Sequence, residues 1–243
     1  MDGLVAYFTL VGFGPTGWGV PLLRAASMTV AVSLAAFGVG IVFGIFGCWA
    51  KLSRSVVAQG VATVYTTVLR GVPDLLVIYL LYFGGSQAIG AIARALGHQG
   101  FFGLNGFVVG MMAVGIISGA YQTEVLRGAY LAIPKGELEA ARVAGMGRLL
   151  MLRRIVAPQT LRFALPGMGN VWQLVLKESA LISVVGLIEI MNQTRLAVGR
   201  TGAAFSFYIT GAILFLLITT FSGAAFRRAE AWAMRGMGGR VRA

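Results

Sequence analysis

Residues 25–50 read AASMTVAVSLAAFGVGIVFGIFGCWA, a run with no charged side chain anywhere in it. A helix crossing about 30 Å of hydrocarbon needs about 20 apolar residues, and this run exceeds that length. Two more stretches, 99–123 and 201–226, are also free of charge over a crossing length. The rest of the chain agrees. Of its 243 residues 58% are hydrophobic and 12% charged, with a mean hydropathy of +0.83. A soluble domain carries about 25% charged residues because its surface must face water. A chain so poor in charge needs lipid as a second solvent. Its many glycines suit membrane helices, where small residues let backbones approach.

Two further crossings are less tidy. Residues 55–82 are mostly apolar but include Arg70, Gly71, Pro73 and Asp74. On an unbroken helix Arg70 and Asp74 stand four apart and can pair, with Pro73 bending the axis. The alternative is an interfacial helix over 55–69 followed by a crossing that starts at Leu75. The stretch 163–188 carries Lys177 and Glu178 near its middle. Each such charge costs roughly 2.5–3.5 kcal/mol at a helix centre. Neighbours on a helix point about 100° apart, so the two cannot neutralise one another. This crossing therefore belongs inside a bundle or beside a watery cavity.

The expectation is an all-α integral membrane protein of about five transmembrane helices, with residues 1–243 forming one domain. Charge placement orients it. Lys51, Arg54, Arg127, Lys135, Arg142, Arg148, Arg153, Arg154, Arg162, Arg227, Arg228, Arg235, Arg240 and Arg242 fall on one side. Arg24, Arg94, Arg195 and Arg200 fall on the other. The positive-inside rule then puts the N-terminus outside and the C-terminus in the cytoplasm. The same asymmetry accounts for the net charge of +12 without nucleic acid, which calls for basic residues interleaved with aromatics on an exposed face. Met1-Asp2-Gly3 lacks a cationic n-region and the first apolar run is too long for a signal peptide, so no cleaved leader is expected. One cysteine, Cys48, excludes an internal disulfide, and His98 sits in an outer loop, more a solvated side chain than a metal ligand.

The basic loop 127–162 is long for a connection and invites a functional reading. Pro134 suits the first position of a helix whose Glu137 and Glu139 complement the N-terminal dipole. Gly145 and Gly147 end it, and a second helix runs from Arg148 to Val156 until Ala157-Pro158 stops it. Physics alone leaves two readings open, an amphipathic hairpin lying on the anionic leaflet and an element on which another protein docks.

Glu139-Ala140-Ala141, then Gly145, Ile155 and Pro158, resembles the EAA motif of permease subunits of binding-protein-dependent ABC importers. The family spacing is Glu-Ala-Ala, three residues, Gly, nine residues, Ile, one residue, Leu-Pro. Every position matches except Ala157, which stands where the family has Leu. Tyr65-Thr66-Thr67-Val68-Leu69-Arg70-Gly71-Val72-Pro73-Asp74-Leu75, Gly119-Ala120-Tyr121 with Thr123-Glu124 and Arg127-Gly128-Ala129, and Ser179 to Leu187 extend the likeness over roughly residues 20–230. They point to the polar amino-acid branch, histidine, lysine–arginine–ornithine and opine permeases above all.

The resemblance implies a type I importer permease in the bacterial inner membrane and a division of labour. Lys51, Lys135 and Lys177 never follow Gly, so no phosphate-binding loop exists. The chain is expected to be no enzyme and to hold no cofactor. ATP-Mg would be bound by two partner ATPase subunits. A second permease subunit, making a heterodimer, and a periplasmic solute-binding protein would complete the assembly. Glu139, Ala140, Ala141, Gly145, Ile155 and Pro158 would form the coupling surface in the loop 127–162. The candidate pathway residues are Glu178 and Asp74, with Arg70 as a partner. A structural Arg70–Asp74 pair, and a Glu178 bond to the partner permease, stand beside that reading. Glu178 follows Lys177 where relatives vary, so its role is not carried over. The competing function class is an ATP-independent secondary transporter or channel.

Overall fold

The computed structural model describes residues 2–95 and 105–235, and among them every regular element is helical. The order is α1 (Asp2–Val11), α2 (Gly19–Leu52), α3 (Val56–Gly71), α4 (Asp74–Tyr79), α5 (Gly85–Ala95), α6 (Gly106–Leu131), α7 (Lys135–Val143), α8 (Arg148–Met151), α9 (Ala157–Glu178), α10 (Ile190–Thr201) and α11 (Ala204–Ala233). A π turn at Leu80–Gly84 joins α4 to α5, another at Leu152–Val156 joins α8 to α9, and a 3₁₀ segment, Ser179–Val185, follows α9. His98, Arg240 and Arg242 lie outside the described residues.

Local chemistry sets several helix starts. Ser55 accepts the Ala58 N–H at 3.3 Å, Asn105 accepts that of Phe107 at 2.8 Å, and Glu189 accepts those of Met191 and Asn192. Each satisfies donors that a helix N-terminus leaves without partners. Glu189 is fully buried. That burial pushes its carboxyl up to about 7, against the two backbone N–H groups and Arg195, which favour the charged form.

The bundle is organised around α2 and α6. Gly40 faces Ser118 and Gln122, Gly44 faces Gln122, and Gly47 faces Thr123, while Gly115 of α6 faces Val39 and Ala36. Residue numbers rise together along both helices, so they run parallel. α9 runs opposite to α6, since Gly167 meets Val125 and Gly110 meets Ile182. α11 returns against α9, since Gly169 meets Phe226 and Gly223 lies near Gln173. Val32, Ala36, Ile78, Ala113, Val114, Val171, Val175 and Ile182 fill the shared core. α1 caps the starting end of α11, with Tyr7 Oη 2.8 Å from Thr210 Oγ1.

Among the described residues, four segments are long and apolar enough to cross a membrane: Gly19–Leu52, Asp74–Ala91, Gly106–Leu131 and Ala204–Ala233. α9 makes the fifth traverse of the bundle. It is too polar to qualify by composition and instead packs among α2, α6 and α11, as its charges require. The outer surface is correspondingly apolar, with Phe46, Trp49, Leu216 and Phe221 exposed. In a bilayer such side chains lose nothing by facing out.

The structure redraws three expected boundaries. The second crossing is not one bent helix over 55–82. Val72 takes extended backbone (φ −93°, ψ 140°) before Pro73, because the proline ring disfavours helical geometry at the preceding residue. The chain restarts as α4 at Asp74, close to the alternative with a crossing from Leu75. The fourth crossing begins earlier than Phe163, and its α-helix ends at Glu178 rather than Ile188. Ala157-Pro158 does not stop a helix: α8, the π turn and α9 follow without interruption from Arg148 to Glu178. A proline ring collides with the carbonyl four residues earlier in a regular helix, and the widened turn just before Pro158 relieves that conflict.

Candidate substrate path and coupling elbow

The break at Val72–Pro73 decides where the charged side chains of the path go. Arg70 stays on the last turn of α3, while Asp74 opens α4, where the helix dipole favours a carboxylate. The expected Arg70–Asp74 ion pair does not form. Four-residue spacing brings side chains together only on a continuous helix, and this one is interrupted between them. Arg70 lies instead over the Tyr121 ring of α6, its guanidinium carbon 5.3 Å from the ring centroid.

Asp74 meets Glu178, carboxyl against carboxyl. Glu178 ends α9 and is only 4% exposed, and among the described residues no amide, hydroxyl or cationic donor reaches either of its carboxyl oxygens. Lys177, one position earlier, points outward and is exposed. The two carboxyl groups and Arg70 thus come from three helices around one break in the backbone.

A polar cavity of about 350 Å³ opens beside the break, lined by Lys51, Thr66, Thr67, Arg70, Gly71, Tyr121 and Glu124. At one edge Lys51 donates to Thr66 Oγ1 at 2.7 Å and pairs with Glu124, whose other oxygen accepts from Arg127 Nε at 3.1 Å. This network ties α2, α3 and α6 together. From charge placement alone Lys51 and Arg127 belong to the basic side of the chain, with no partner assigned to either. The three-residue spacing of Glu124 and Arg127 at the end of an apolar run was the signal available for part of it.

At the same end of the bundle the chain makes an elbow. α6 continues to Leu131 and the rod beginning with α8 starts at Arg148, so the expected loop 127–162 shrinks to α7 and its flanks. Pro134 precedes α7 as its cap. After the last helical residue the Gly145 N–H binds the Arg142 carbonyl and the Met146 N–H binds the Ala141 carbonyl, both at 3.0 Å. This double closure needs a left-handed residue between them, and Gly145 supplies it at φ +75°. Glu139, Ala140 and Gly145 are exposed, Pro158 is exposed and Ile155 half-buried. Ala141 is not on that open face: it is 3% exposed and packs against the body. Among the described residues no three His, Cys, Asp or Glu side chains gather as a metal site would require.

The family model described as "Binding-protein-dependent transport system inner membrane component" matches residues 21–232. The chain belongs to that family. It is thus a multi-pass permease of the bacterial inner membrane, and an ATP-independent transporter or channel is set aside. Among curated proteins the permease is 58% identical over 231 residues to the octopine transport system permease protein OccQ of Agrobacterium tumefaciens (strain Ach5), covering 95% of this chain and 98% of the relative. It is 37% identical over 206 residues to the histidine/lysine/arginine/ornithine transport system permease protein HisQ of Escherichia coli (strain K12), covering 85% and 90%. Among solved structures it is similar to a chain of an amino acid ABC transporter with histidines, at TM-score 0.75 and 28% identity, covering 88% and 94%.

Proposed function

We propose that this permease carries polar or basic amino acids, or opines, through an ATP-driven importer, with Glu178 and Asp74 receiving a cationic group of the cargo. The observation behind this is a 4%-exposed Glu178 at the end of the interior helix, set against the Asp74 carboxyl. A carboxylate pair at membrane depth is costly unless a cation visits it. Arg70, stacked rather than ion-paired with Asp74, remains available for a carboxylate of the same molecule. The named cargoes of the relatives, octopine and the basic amino acids, carry both kinds of charge.

In this reading the elbow end is cytoplasmic and the α1 end faces outward. Lys51, Arg54, Arg127, Lys135, Arg142, Arg148, Arg153, Arg154 and Arg162 cluster at the elbow end, which supports that orientation. Glu139, Ala140 and Gly145 present the docking face to one of two separate ATP-binding subunits, and Ala141, Ile155 and Pro158 shape it from behind. ATP-Mg sits on those partners. A second, non-identical permease subunit faces this one, and a periplasmic solute-binding protein delivers the cargo.

Glu178→Gln tests the pathway. Uptake into proteoliposomes holding the assembled complex should lose about tenfold or more in affinity for a cationic amino acid, the worth of a charged hydrogen bond. Unchanged affinity and specificity would remove Glu178 from the path.

A further inference from the structure

The elbow is joined to the interior helix in two ways. The covalent route from α7 to α9 passes Gly145, Gly147 and the π turn at Leu152–Val156. That route is indirect: Gly145 and Gly147 have no side chain that could brace α7 against α9, and the π turn is a locally widened stretch of helix. Motion of α7 sent along it reaches α9 only by way of these irregular turns. A second route crosses the gap directly. Gln159 Nε2, on the first turn of α9, donates to Glu137 Oε2 on the first turn of α7. Glu137 and Ala141 stand four apart on α7 and so share its inward face. Ala141 is 3% exposed there, and Ile133, just before α7, is 4% exposed. The apolar contacts of Ile133 and Ala141 can slide. The amide–carboxylate bond is directional, and it is the polar attachment that joins this face of α7 to α9.

Its position matters. Gln159 lies beyond the π turn, on α9, which runs as one helix through Pro166 to Glu178. At 1.5 Å per residue those nineteen steps span about 28 Å. Gly167 and Gly169, next to Pro166, meet Val125 of α6 and Phe226 of α11, so the helix is held where the proline would let it bend and a pull at Gln159 is delivered at its far end.

We propose that the Glu137–Gln159 bond is the link that carries movement of α7 past the π turn to Glu178, making both side chains positioning residues for coupling. The inference rests on the elbow's meeting an ATPase as proposed above. Three variants of the complete complex test it: Glu137→Ala, Gln159→Ala, and the exchange Glu137→Gln with Gln159→Glu, which restores an amide–carboxylate pair in reverse. The readouts are co-purification of the ATPase, basal ATPase rate, and stimulation by solute-loaded binding protein. Each alanine variant should retain the ATPase and its basal rate but lose stimulation about fivefold or more, the scale of one coupling contact. The exchange should recover most of it. Full stimulation in both alanine variants, or an exchange no better than they are, overturns the link. Loss of the ATPase from the alanine variants also overturns it, assigning the pair to docking. Failure of the wild-type chain to hold an ATPase would instead defeat the reading on which the link depends.

Discussion

Replacing Gly44 by valine should weaken the native bundle by about 3 kcal/mol. A Cβ at Gly44 would lie 2.8 Å from the Gln122 Cβ and 3.3 Å from the Gln122 backbone carbon. Neither is the end of a flexible side chain, so the two parallel helices must separate. Separation loosens the contact on which the core of Val32, Ala36, Ala113 and Val114 is built, and it misplaces the polar groups facing this seam. Gln122 is fully buried and its amide donates to the Phe37 carbonyl at 3.3 Å. Overpacking costs about 1–3 kcal/mol, and stranding a buried amide adds about 1–3 more. A total near 3 kcal/mol corresponds to a fall of about 6–12 °C in Tm for a chain of this size. Thermal unfolding of the purified protein in detergent measures it. Gly38, one and a half turns away, has nothing within 4 Å of its would-be Cβ, so Gly38→Ala should be neutral or gain up to about 1 kcal/mol.

Gly145→Val should uncouple the permease without unfolding it. The residue sits at φ +75° with open space around its would-be Cβ, so conformation is what valine disturbs. The left-handed region costs an ordinary residue about 1–2 kcal/mol, and a β-branched one more. The chain would relieve that strain by abandoning the double hydrogen-bond closure after α7, turning Glu139 and Ala140 away from their present direction. Uptake and binding-protein-stimulated ATPase should fall about tenfold or more, since each 1.4 kcal/mol is a factor of ten, while the bundle stays folded with Tm lowered by about 2–8 °C. Gly145→Asn should keep most of the activity, because Asn tolerates this backbone region. A valine variant as active as the parent would remove the conformational argument.

The sequence made the apolar crossings legible because charge-free runs of that length have few other uses. It also marked Gly145, since a glycine after an alanine-rich helix with a second helix behind it suits a reversal. What it hid were consequences of backbone interruption. Arg70 and Asp74 look paired only if the helix runs through Pro73, and the extended Val72 sends them to Tyr121 and Glu178 instead. Pro158 looks like a stop only if the preceding turn is regular, and the π turn at Leu152–Val156 is not. Ala141 shares its motif with Ala140 but not its exposure, because neighbours on a helix face about 100° apart. The Lys51–Glu124–Arg127 network joins residues from two helices, and no linear spacing records the part Lys51 plays in it.

The most direct test of the account is contact between the elbow and a separate ATPase. A cysteine placed at the exposed Ala140, with Cys48 replaced by alanine, and alkylated with a maleimide that carries a benzophenone, should form a cross-link to the co-expressed ATP-binding subunit when the assembled complex is irradiated. A cysteine at Gly38, on the exposed flank of α2, should not. Cross-linking at Ala140 that depends on the ATPase is the predicted result; a complex that assembles and transports while Ala140 stays unlinked and freely reactive would contradict it.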